Sequence, residues 1–211
     1  MSIVITAGQR GALVFADLAQ TLGVMRSDPS GHPAELVAAR GYKWLLCPRG
    51  ASRPVADPRR ISIVPTVASW KSAADPERFF GGPYSQAGTM ARSNSSPAWM
   101  SWIGARAALG LLAHVDSDDS PCHVLRLADQ YIAARRGHGF LELNCGARSR
   151  IVVTAPPPGH RVDPVRLYDA RVRATITENG GLRVGFHYFN SEADAAYAAE
   201  VAHKALFVST Q

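Results

Sequence analysis

The amino-acid sequence predicts an α/β chain in which a mostly parallel sheet with covering helices is followed by a smaller α+β domain. Two short, wholly apolar runs near the start, Leu13-Val14-Phe15-Ala16 and Leu36-Val37-Ala38-Ala39, are each closed by a charged residue. Uninterrupted apolar runs of this length suit strands buried on both faces of a helix-covered parallel sheet. Residues 97–135 carry two helical patterns, each opened by a proline. From Gly137 onward, short strand patterns and an Asn179-Gly180 turn take over. The spacing divides the chain into domains 1–115 and 116–211.

The elements follow in order. The segment 27–33, Ser-Asp-Pro-Ser-Gly-His-Pro, reads as a turn-rich loop between the first two strands. Residues 51–96 are rich in Pro, Gly and Ser and offer one apolar strand candidate at 61–64. A helix is expected over 98–114, with Ser96 as N-cap and Pro97 at its first position. The polar stretch 116–120 breaks the chain, and Pro121 opens a second helix to about Arg135. Residues 140–143 and 151–153 read as strands, and Pro156-Pro157-Pro158-Gly159 as a loop. A short helix over 163–170 takes Asp163 as N-cap. Residues 173–177 and 182–189 form a hairpin joined at Asn179-Gly180 in a two-residue turn. Ser191-x-x-Asp194 has the form of a capping box ahead of a last, Ala-rich helix to about Leu206. There is no internal repeat.

Composition narrows the function classes. The chain has 211 residues, 23 Lys+Arg against 17 Asp+Glu, and a net charge of +6. Its pI is about 9.6. A basic balance can serve nucleic acid, but the excess is spread over isolated arginines with no lysine-rich run, so no nucleic-acid partner is expected. No window holds ~18 uninterrupted apolar residues, so no membrane span is expected. The start, Met-Ser-Ile-Val-Ile-Thr, lacks a secretory pattern. Cys47, Cys122 and Cys145 have no metal-site or disulfide-framework spacing, which fits a reducing, cytoplasmic setting.

Ligands of open α/β sheets sit beyond the carboxyl ends of the strands. Asp17 and the Arg40-Gly41-Tyr42-Lys43 segment fall there. A carboxylate on one side and an amine on the other is the pair that pyridoxal phosphate requires: a lysine for the Schiff base and an acid for the pyridinium nitrogen. Lys43 is the Schiff-base candidate and would also move protons at the substrate Cα. Asp17 would keep the ring nitrogen protonated, and Gln20 would reach the ring oxygen. Tyr42 and Arg40 would reach the phosphate. Each residue alone also fits a plainer role, as a strand-end lysine, a turn aspartate, a helix glutamine or a solvated arginine.

Taken together, the segment from Ala12 to Gly50 resembles the class V aminotransferase family, the pyridoxal-phosphate group that includes cysteine desulfurases and carbon–sulfur lyases. The matching pieces are the strand-Asp17-x-x-Gln20-x-x-Gly23 segment, Lys43-Trp44-Leu45-Leu46 and Pro48-Arg49-Gly50. Downstream, Ser95-Ser96-Pro97-Ala98-Trp99 is similar to the opening of a long family helix, and residues 182–194 to the closing strand and helix. The resemblance implies a pyridoxal-phosphate enzyme of aminotransferase or C–S lyase type, acting on an amino acid through a Lys43 Schiff base. It places Asp17 and Gln20 on the cofactor ring, Ser96 on the cofactor phosphate of a neighbouring subunit and Arg183 on the substrate α-carboxylate, beside the Tyr42 already read as reaching the phosphate. Arg183 has support of its own: Leu182, Val184, Phe186 and Tyr188 alternate onto one strand face, which puts Arg183 and His187 on the other.

The chain departs from the family pattern in several places. Family members carry a long segment ahead of the Asp strand, so the chain is similar to the C-terminal portion only: the remainder of the large domain plus the small domain. A homodimer or a complementing N-terminal chain is the expected partner. Cys47 stands where Gly is usual, and Arg40 and Tyr42 where Ser and His are usual. Arg53-Pro54-Val55 interrupts an expected apolar strand, and Ser93-Asn94 replaces a common aromatic–acid pair. No cysteine follows Arg183, which disfavours persulfide-forming desulfurase chemistry. The alternative to an enzyme is a catalytically silent remnant or interaction module that keeps the fold.

Overall fold

The computed structural model describes residues 3–25, 34–57, 59–78, 80–115, 119–144, 146 and 148–208. The turn-rich stretch 27–33, the start of the polar break at 116–118 and Cys145 lie outside the described residues. The chain divides into two compact units, Met1–Asp116 and Ser117–Gln211.

In the first unit, α1 (Ile3–Gln9) precedes three strands, β1 (Phe15–Asp17), β2 (Leu36–Arg40) and β3 (Ser52–Ala56), and α2 (Trp99–Leu112) closes it. The sheet order is β1-β2-β3. β1 and β2 are parallel, with Phe15 opposite Leu36 and Asp17 opposite Ala38. β3 returns antiparallel to β2, with Pro54 opposite Ala38 and Ser52 opposite Arg40. The Arg53-Pro54-Val55 interruption is thus the middle of a strand. Pro54 is tolerated because β3 is an edge, where a missing N–H need not feed a ladder. The apolar strand expected at 61–64 does not form. Asp57 turns the chain there, its carboxylate accepting from the Arg59 backbone N–H and guanidinium.

The first apolar run is buried on one face, not two. Val14 and Ala16 pack against Leu18, Ala34, Val37 and Ala39, whereas Phe15 is 59% exposed. α2 begins at Trp99 with Ala98 as its N-cap, so Ser96 does not cap it. Its first turn is anchored instead by the Ser101 hydroxyl, which donates to the Arg49 carbonyl.

The second unit opens with α3 (Asp119–Gly137) and continues through β4 (Leu141–Glu142), β5 (Ile151–Ala155), β6 (His160–Val162) and α4 (Pro164–Asp169). β7 (Thr175–Ile176), β8 (Leu182–Gly185), α5 (Glu192–Lys204) and β9 (Leu206–Val208) complete it. An antiparallel sheet runs β4-β5-β8-β7, and β6 pairs with β9. The β7–β8 turn closes at Thr177 and Gly181 and encloses three residues, Glu178, Asn179 and Gly180, not two. Thr177 N–H reaches the Gly181 carbonyl at 2.7 Å and Gly180, at φ +76°, occupies the left-handed position of a G1 bulge. Asp163 and the Ser191–Asp194 capping box cap the N-termini of α4 and α5 as expected.

One stripe of α3, at Val124, Leu127, Ala128, Tyr131 and Arg135, is buried. Leu127 and Tyr131 join Val152, Leu182, Phe186 and Ala199 in a continuous core. Arg135 is wholly buried in it: one guanidinium N–H donates to the Ala199 carbonyl at 2.9 Å and the plane lies over the Phe140 ring. Burial pulls its pKa down to about 10.

Candidate active site

The turns that leave β1 and β2 lie side by side. Asp17 ends β1, and its Oδ1 accepts the Ala19 N–H at 2.9 Å, the usual reach of an aspartate into its own turn. Its Oδ2 faces the Arg40 guanidinium at 3.7 Å, with both side chains about half exposed. Three residues on, Gln20 Oε1 accepts the indole N–H of buried Trp44 at 3.0 Å. That bond joins the two turns across 24 positions of sequence and directs the Gln20 amide N–H₂ elsewhere.

The turn after β2 is tightly folded. Gly41 N–H donates to the Ala51 carbonyl and Cys47 N–H to the Gly41 carbonyl, while Leu46 takes a left-handed conformation at φ +53°. Lys43 sits within this loop, partly buried, and its ammonium has no hydrogen bond or ion pair among the described residues. Beside it, Arg40 hydrogen-bonds the Tyr42 hydroxyl and holds that phenol below its ordinary pKa, and Arg49 stacks at 4.3 Å over the Tyr42 ring. Cys47 is buried, which pushes its thiol pKa up.

The structure therefore brings Asp17, Gln20, Tyr42 and Lys43 to one place at the strand ends. The links are residues that sequence reasoning underweighted: Arg40, which touches both Asp17 and Tyr42, and Trp44, which holds Gln20. The only sequence signal for Trp44 was its place directly after the lysine. Ser96 is exposed on the segment leading to α2, and among the described residues it makes no hydrogen bond or ion pair with these four.

Arg183 belongs to the second unit, on β8, opposite Val153 of β5 and Thr175 of β7. Its neighbours Leu182 and Val184 are buried, so the guanidinium projects from the face away from the core. It is half-buried and has no hydrogen bond or ion pair among the described residues. The expected alternation runs through Phe186. His187, Tyr188 and Phe189 then form an aromatic group, with His187 stacked on Phe189 at 4.3 Å. Burial, and secondarily Arg150, push the His187 pKa down to about 4. Among the described residues, no group of three His, Cys, Asp or Glu could hold a metal ion, and no helix is long and apolar enough to cross a membrane.

No protein-family model and no curated protein sequence matches the chain. Solved structures do. A cysteine desulfurase from Thermococcus onnurineus NA1 superposes with a TM-score of 0.77 at 17% identity, over 95% of this chain and 54% of that one. The cysteine desulfurase CsdA from Escherichia coli gives 0.77 at 19% identity, over 96% and 53%. An alanine–glyoxylate aminotransferase from Nostoc sp. gives 0.68 at 16% identity, over 97% and 56%. The chain thus has the α/β fold that the class V resemblance implies, and it spans about half the length of each of these structures.

Proposed function

We propose that the chain binds pyridoxal phosphate at the ends of β1 and β2 and acts through Lys43 on an amino acid, as an aminotransferase or C–S lyase. The observation that carries this reading is Lys43, whose ammonium has no hydrogen bond or ion pair among the described residues, in the turn beside Tyr42 that adjoins the Asp17–Gln20 turn, on a fold shared with cysteine desulfurases and an aminotransferase. The residues present fit the group. Lys43 would hold it covalently, the Asp17 carboxylate would hold a proton at the ring nitrogen, and the Gln20 amide would donate to the ring oxygen. Tyr42 would reach the phosphate with Arg40, and Ser96 is proposed for the phosphate bound by a neighbouring subunit.

Bound there, pyridoxal phosphate supplies an electron sink for charge developing at the substrate Cα. Lys43 would take the Cα proton of the substrate and return it. Arg183 binds the substrate α-carboxylate through a bidentate pair. The Arg40–Asp17 contact does not oppose this, because a half-exposed pair at 3.7 Å is weak. Cys47 is unsuited to persulfide chemistry, being buried with a raised thiol pKa. The proposed setting is a reducing, cytoplasmic one.

A covering polypeptide, either a second copy or a complementing chain, belongs to the proposal. Trp99, Met100 and Ile103 of α2 are each more than 60% exposed, and among the described residues no strand pairs with the outer edge of β1. A catalytically silent interaction module is the second reading, favoured by that same surface.

The test is an absorbance spectrum of the purified chain after pyridoxal phosphate is added and the excess removed, beside Lys43→Ala. A visible band that borohydride bleaches, absent in the variant, is expected. A folded preparation with no such band would defeat the cofactor reading and leave the interaction module.

A further inference from the structure

The sheet of the first unit carries a cation on its apolar face. Across the antiparallel β2–β3 pair, Val37 stands opposite Val55 and Ala39 opposite Arg53. Directly opposed residues share a face. Arg53 therefore lies on the side that bears Val37, Ala39 and Val55, which cluster with Leu22. On α2, Trp102, Ala105 and Leu109 recur at helical spacing and line the same space. Between sheet and helix is a cleft of about 320 Å³, with Gly41, Leu45 and Cys47 of the Lys43 loop also on its wall. Arg53 is the only charged group lining it among the described residues. The guanidinium is exposed, stands 5.9 Å from the Trp102 ring centroid, and has no hydrogen bond or ion pair among the described residues.

Packed protein interiors leave few voids larger than a water molecule. Water in this cleft meets few polar partners, and the Cys47 thiol already donates to the Leu45 carbonyl at 3.4 Å. An apolar chain displaces such water favourably. A carboxylate at the end of that chain complements the guanidinium at the rim. The volume suits a saturated chain of roughly eight to twelve carbons. We propose that the cleft between β2–β3 and α2 binds a free aliphatic monocarboxylate, with its tail against Val37, Ala39, Ala105 and Leu109 and its head group on Arg53. The site is separate from the Lys43 ammonium, although the Lys43 loop supplies part of its wall. It goes beyond the cofactor reading and does not rest on it.

The test uses the full chain without cofactor. Binding of decanoate, hexanoate and decanol, each below its aggregation limit, is measured by equilibrium dialysis for the wild type, Arg53→Gln and Ala39→Leu. The wild type should bind decanoate saturably. Hexanoate should bind at least about tenfold more weakly, since each buried methylene contributes about fourfold in affinity. Arg53→Gln should weaken decanoate about fivefold and leave decanol unchanged. Ala39→Leu grows into the cleft and should weaken decanoate and decanol alike, by about tenfold. Arg53 is exposed, so its replacement leaves the fold in place and keeps the comparison available should Ala39→Leu not fold. No saturable binding in the wild type, equal affinity for hexanoate and decanoate, or unchanged decanoate affinity in Arg53→Gln or in folded Ala39→Leu would overturn the proposal. So would a wild type that self-associates and is returned to monomer by both decanoate and Ala39→Leu, which would give the cleft to a second copy of the chain. Because no cofactor enters, this result and the Lys43 spectrum fail independently.

Discussion

Acidification should weaken the second unit through His187. The ring lies at the exit of β8 between Tyr188 and Phe189, and its Nδ1 accepts the Tyr188 N–H at 3.0 Å. Burial first, and the Arg150 charge second, lower its pKa from 6.5 to about 4. The folded ring is therefore neutral over a range in which the unfolded ring is protonated. Between those two values the unfolded state binds more protons, so stability rises with pH there. The contribution is fully present above about pH 6.5 and is lost as pH falls towards about 4. The gap amounts to at most about 3 kcal/mol. The ring is only partly buried, and solvent screening reduces this to about 1–2 kcal/mol.

The assay is urea unfolding at pH 7 and pH 4.5, wild type beside His187→Gln, where the difference between proteins cancels the other carboxyl and histidine titrations. Far-UV circular dichroism is the appropriate probe. The four tryptophans, Trp44, Trp70, Trp99 and Trp102, all lie in the first unit and would miss the transition. The wild type should lose about 1–2 kcal/mol more than the variant between the two pH values. Parallel losses in the two proteins would refute the burial-and-repulsion account of His187.

Two further outcomes test the first unit. On α2, a Cβ added at Gly104 would lie 2.5 Å from Pro48 Cγ, so Gly104→Ala should cost about 1–3 kcal/mol, read from tryptophan fluorescence during melting. A hindered aromatic disulfide reagent should modify exposed Cys122 promptly and buried Cys47 only on unfolding, with Cys47→Ser losing the slow phase; a fast Cys47 reaction would contradict its burial.

The parts of the fold legible in the sequence were those where burial pattern and local chemistry agree. Ser191-x-x-Asp194 and Asp163 cap their helices because each bond is made within three residues. Leu182, Val184 and Phe186 alternate onto the core because the strand period is two. Where the deciding contact is distant in sequence, local rules failed. Ser96-Pro97 carries a helix-start pattern, yet the helix begins at Trp99, and its first turn is tied through Ser101 to Arg49, 52 positions earlier. Pro54 argued against a strand, and only the edge position of β3 makes it harmless. β6 and β9 are three-residue strands whose pairing joins positions more than 40 residues apart, with no local signal.

The candidate site shows the same division, and its departures from the family pattern are coupled. Asp17 and Lys43 were legible as polar endings of apolar runs, but the Lys43 loop depends on a pair of small residues read separately. A Cβ at Gly41 would stand 2.8 Å from Cys47 Cβ and 2.9 Å from the Ala51 carbonyl. The Cys47 side chain fills the space where a glycine would leave room, so Gly41 must stay bare for the Gly41–Cys47 backbone bond to close the turn. Cys47 is thus a packing residue of the loop that presents Lys43, which is also why its thiol is buried. Trp44 is buried by the same closure and holds Gln20 from the neighbouring turn. The lysine is therefore carried by a loop fixed at Gly41–Cys47 and at Trp44–Gln20. With the loop held in this way, the Lys43 ammonium makes no hydrogen bond or ion pair among the described residues.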